Sequence, residues 1–72
     1  MYAVLYVSRY GNLVKESCQL KGVDEVYIKV FKDLEAAKNF AQKVYKDRAE
    51  LVIVVPVLFV RGIEIEGELI EC

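Results

Sequence analysis

A serine or cysteine becomes a nucleophile when a base within hydrogen-bonding reach takes its proton, and histidine is the side chain that most often does so. This sequence contains no histidine. Ser8 and Ser17 could be activated only by lysine, and a serine near one of seven lysines in a chain this short carries no information. The glycines at 11, 22, 62 and 67 form no phosphate-cradling motif, because each falls at a turn or inside a strand. We therefore expect no catalytic residues, no cofactor and no enzymatic activity.

Three further groupings carry chemistry in outline. Glu64, Glu66 and Glu68 form an acidic row that could offer oxygens to calcium or magnesium. Alternate strand residues lie about 6–7 Å apart, however, too far for all three to grip one ion. A solvated strand guarded by charge is the simpler reading. Cys18 and Cys72 could complete a four-thiolate zinc site only if two chains each contributed both, so we read one as a buried thiol and the other as a free terminal thiol, with no metal. Arg9 and Tyr10 at a turn, with Tyr27 and Lys29 on a strand, mix cations with aromatics as base-stacking surfaces do. This is the alternative reading, a nucleic-acid-binding protein that uses its first hairpin in a dimer. No RNP-type sequence, helix-turn-helix or basic run accompanies it.

The elements that would position these residues follow from periodicity. Residues 2–8 (YAVLYVS) are β-branched and aromatic with apolar side chains on both faces, the pattern of a strand covered on both sides. Turn residues Tyr10-Gly11-Asn12 lead into 13–20 (LVKESCQL), which alternates and predicts a hairpin with the first strand. After Gly22, residues 25–31 (EVYIKVF) predict a third strand. Asp33 is an N-cap, and Leu34, Ala37, Phe40, Ala41 and Val44 make the stripe of a one-faced helix running to about Arg48. Residues 51–60 (LVIVVPVLFV) read as a fourth strand, and 63–70 (IEIEGELI) as a half-exposed fifth across Arg61-Gly62. Pro56 interrupts the most apolar strand, so a bulge or break is expected there. The expectation is a single α+β domain over residues 1–72, ordered β-β-β-α-β-β, with a mixed or antiparallel five-stranded sheet and one helix packed on one face. The strand order we favour is 5-4-1-2-3, with the fourth strand parallel to the first.

Seventy-two residues support one core, since a chain this short buries only about 60% of the surface its unfolded form exposes. Ten basic and eleven acidic residues give a net charge of -1, so no global field draws nucleic acid or an anionic membrane. The ten-residue apolar run is half the roughly 20 residues of a membrane helix, which argues against insertion. Two cysteines, with no signal-like segment before the first strand, point to the cytoplasm. Scarce Asn and Gln beside abundant Val, Lys and Glu is compatible with a thermophilic source.

Composition also exposes a mismatch. Hydrophobic residues make up 56% of the chain, and one amphipathic helix covers one sheet face, yet the first and fourth strands are apolar on both. Depending on the register of the last hairpin, either Ile53, Val55, Val57 and Phe59 or Val54, Leu58 and Val60 form an uncovered stripe. Contiguous patches of this kind mark association. The expected function is thus a small homo-oligomeric protein-interaction module, regulatory and without catalytic activity, with an unknown protein partner and Ile53, Val55, Val57 and Phe59 as its interface.

Overall fold

The computed structural model describes residues 1–57 and 70–71. Five strands and one helix occur among them: β1 (Tyr2–Val7), β2 (Cys18–Leu20), β3 (Val26–Phe31), α1 (Leu34–Lys46), β4 (Leu51–Pro56) and the two-residue β5 (Ile70–Glu71). The fold is α+β, and the sheet order is β4-β1-β3-β2-β5 with every neighbouring pair antiparallel.

Three expectations about this sheet are corrected. The first turn does not make a hairpin: β1 pairs with β3 from Tyr2↔Phe31 to Val7↔Val26, and β2 is only three residues long on the far side of β3. Among the described residues β4 is an edge strand, where it was expected inside the sheet, and it runs antiparallel to β1. The reason is topological. A crossover helix sets β4 parallel to β3, and since β3 is antiparallel to β1, a β4 on the other side of β1 must be antiparallel to it too. Finally, β5 pairs with β2 and not with β4. The stretch 58–69, with most of the expected last hairpin, lies outside the described residues.

Asp33 caps α1 from extended backbone (φ -112, ψ 133), its carboxylate accepting the Ala36 N–H at 3.2 Å. The helix stops at Lys46, two residues short of the expected end. Arg48 adopts φ 74, its N–H donates to the Tyr45 carbonyl and the Ala49 N–H to the Val44 carbonyl, the two bonds of a Schellman stop. Glycine usually fills that left-handed position, and here an arginine takes it. Ala49, buried next to Val44, supplies the apolar contact that seals the end.

Alternation assigns the two sheet faces. Val4, Tyr6, Tyr27, Val52 and Val54 point to the side of α1 and join its Ala37, Phe40 and Val44 in the core. The helix does not cover that face alone. It packs over β1 and β4, while the irregular chain after β1 folds back beside it and sinks Val14 into the same core. The opposite face is apolar across its width: Leu51, Ile53 and Val55 on β4, Ala3, Leu5 and Val7 on β1, Val26, Ile28 and Val30 on β3.

Candidate interaction surface

The row expected to form an interface divides by position. Ile53 and Val55 stand on the helix-free face of β4 and are 43% and 36% exposed, while Leu51, which the sequence reading left out, is the most open of the row at 55%. Val57 follows the end of β4 and is half-buried, and Phe59 lies outside the described residues. Leu51 was recoverable from its spacing of two and four from Ile53 and Val55. No charged residue occurs from Leu51 to Val60, although exposed edge strands normally carry charge to discourage pairing.

Backbone phase decides what this edge offers. In an antiparallel ladder, residues alternate between bonding the partner strand and facing away from it. The Val57 N–H donates to the Met1 carbonyl at 2.7 Å, which fixes Met1 and Val57 as a bonded pair. Stepping by two, Leu51, Ile53 and Val55 turn their backbone groups to β1, while Val52, Val54 and Pro56 turn theirs away. Pro56 therefore lacks a donor only where β1 needs none. Of the bulge or break expected at Pro56, no bulge occurs among the described residues: pairing stays regular through Tyr2↔Pro56, and the strand ends there. On the helix side, Ala41, Gln42, Tyr45, Lys46, Val52 and Val54 line an open groove of about 320 Å³ alongside the edge.

The residues of the nucleic-acid reading do not share a surface. Arg9, 73% exposed, is bridged to Glu50 at 2.9 Å, and Tyr10 stands open beside it. Tyr27 is buried on the α1 face, stacked on Tyr6 at 5.4 Å between ring centroids. Lys29 donates to the Glu16 carbonyl at 3.3 Å and lies over the Phe31 ring.

Ser8 and Ser17 are both buried, and among the described residues neither bonds a lysine. Ser17 belongs to a polar cluster with Tyr6 and Asn12. The Tyr6 hydroxyl lies 2.8 Å from Asn12 Oδ1 and 2.5 Å from Ser17 Oγ, and Asn12 Nδ2 donates to the Ser17 carbonyl at 2.8 Å. Ser17 Oγ also reaches the Val14 carbonyl at 2.7 Å. No buried side-chain nitrogen or oxygen among the described residues lacks a partner, so this cluster is closed on itself and fastens the loop after β1 to the core.

Cys18 is disulfide-bonded, which corrects the expectation of a free thiol. The chain's other cysteine, Cys72, and the acidic row Glu64, Glu66 and Glu68 lie outside the described residues. No group of acidic or thiol side chains among the described residues could hold a metal ion, and no described helix is long and apolar enough to cross a membrane. No protein family, no curated protein and no solved structure matches this chain.

Proposed function

We propose that this protein is a small homo-oligomeric protein-interaction module without catalytic activity of its own, and that it associates through β4. The observation that carries the reading is a strand at the edge of the sheet among the described residues, with three exposed aliphatic side chains in a row and no charge along it. Removing such a row from water contributes roughly 25 cal/mol per Å² of apolar area, and an uncharged surface does not repel its own copy. The groove formed by Ala41, Tyr45, Val52 and Val54 continues the apolar surface around the edge to the helix side.

Light scattering at low micromolar concentration tests the reading. The expected mass is twice the 8.2 kDa of one chain or a higher multiple. Ile53→Glu should return the monomer with its circular dichroism unchanged, because the position is exposed in one chain and an unpaired charge is costly only once covered. A parent protein of 8.2 kDa would overturn the proposal.

A further inference from the structure

Two short strands hold the side of the sheet away from β4. β2 has three residues and β5 two, and the described ladder between them is two pairs, Gln19↔Glu71 and Leu20↔Ile70. So short a ladder is marginal by itself, since even an isolated two-stranded hairpin is barely stable in water. β2 has the firmer hold on the fold. Its Cys18 and Gln19 pair with Ile28 and Tyr27 of β3, and Ser17, next to Cys18, is fixed in the cluster with Tyr6 and Asn12. Among the described residues β5 has β2 as its one strand neighbour.

Covalent chemistry stands at the same place. Cys18 is disulfide-bonded and half-buried, so it is not sealed in the core. The sequence has one other cysteine, Cys72. Cys18 comes directly before Gln19 and Cys72 directly after Glu71, so both cysteines adjoin, along the chain, the two members of one described pair. Residues directly opposed in an antiparallel ladder have Cα atoms about 4.5 or 5.5 Å apart, and a disulfide accepts separations of about 4.4–6.8 Å.

We infer that the Cys18 disulfide is a redox-operated clasp: its partner is Cys72 of the same chain, and a dithiol opens it to release the C-terminal strand from β2. A thiolate of the dithiol attacks one sulfur of the bond, and the dithiol's second thiol resolves the mixed disulfide. Two electrons and two protons pass to the cysteine pair, leaving two thiols here and a disulfide in the reductant. While the bond is closed, β5 is an intramolecular partner for β2 at high effective concentration. Once it opens, the two residue pairs hold β5 by themselves. The Ser17 cluster and the pairing of β2 with β3 do not pass through the bond, so the release is local. This inference does not rest on the proposed self-association.

Two measurements on the full chain test it. Trypsin digestion without reductant should leave residues 16–21 joined to residues 62–72, and a Cys18 peptide joined to its own copy, or a doubled chain on a denaturing gel without reductant, would overturn the assignment of the partner. Nitrogen relaxation then reads the release. Adding dithiothreitol should drop the backbone order parameters of Ile70 and Glu71 from about 0.85 to below about 0.6, while β1 and β3 keep theirs and glutathione disulfide restores the first values. Cys72→Ser should show the low values with no reductant present. A bond that dithiothreitol leaves intact in the folded protein, order parameters at Ile70 and Glu71 that ignore reduction, or loss of the native signals of β1 and β3 would each overturn the clasp.

Discussion

Replacing Tyr6 by Phe removes one oxygen atom and nothing else from the core. The ring keeps its stack on Tyr27 and its 6.3 Å approach to Phe40. What disappears is the hydroxyl shared with Asn12 Oδ1 and Ser17 Oγ, in a side chain that is 1% exposed. Asn12 Oδ1 retains Ser17 Oγ at 2.5 Å, so it is not orphaned, while Ser17 loses its contact across the core. Two lost bonds at about 1 kcal/mol each, with part of the desolvation cost of Ser17, come to about 2 kcal/mol. In a chain of this size that lowers the melting temperature by roughly 8–16 °C. Thermal and urea unfolding followed by circular dichroism would measure it, with Ser17→Ala and the double variant completing a cycle. The expected coupling is at least about 0.5 kcal/mol, since the two hydroxyls touch. A loss below about 0.5 kcal/mol for Tyr6→Phe, or strict additivity in the double variant, would refute the claim that this cluster fastens the loop to the sheet.

Other perturbations test separate parts of the fold. Arg48→Gly should stabilise the protein by roughly 0.5–1 kcal/mol in urea unfolding, because φ 74 strains an arginine and suits glycine; a loss of stability would mean that the arginine side chain matters more than its backbone. Val44→Ala, at a fully buried position, should cost about 2–3 kcal/mol from two methyl groups and the space they leave, and a cost under about 1 kcal/mol would show that α1 relaxes onto the sheet. Because Cys18 is disulfide-bonded, a dithiol should lower the melting temperature and expose titratable thiols, a disulfide being worth typically about 2–4 kcal/mol. An unchanged melting temperature after reduction would show that the disulfide does not constrain the unfolded chain.

The sequence was most legible where one local period governed. α1 with its Asp33 cap, β1, β3 and the start of β4 were readable because each buries a face against something nearby. Strand order was not readable, since it depends on which pairs form between distant segments, and β1 is apolar enough to accept several partners. The expected hairpin failed on three residues that read as ordinary turn and strand material: Asn12, Ser17 and Tyr6 bond one another and hold the loop against the core in place of a second long strand. The candidate surface was half legible. The excess of apolar faces points to Ile53 and Val55, but that β4 lies at the edge among the described residues has one sign in the sequence, Pro56, which reads equally as a defect in an inner strand.

The placement of β1 has a consequence for how the chain reaches its fold. β1 lies inside the sheet, between β4 and β3, and its pairing with β4 joins residues as far apart as Tyr2 and Pro56. Loop closure over such a span must be met before those contacts return any stability, so high contact order should make folding slow for so short a chain. During synthesis β1 can dock on β3 once Phe31 has emerged, yet its other edge stays open until β4 follows α1 out. A nascent chain halted between those points presents one unpaired, aliphatic strand edge, which is the state from which aggregation starts and to which a holding chaperone would bind.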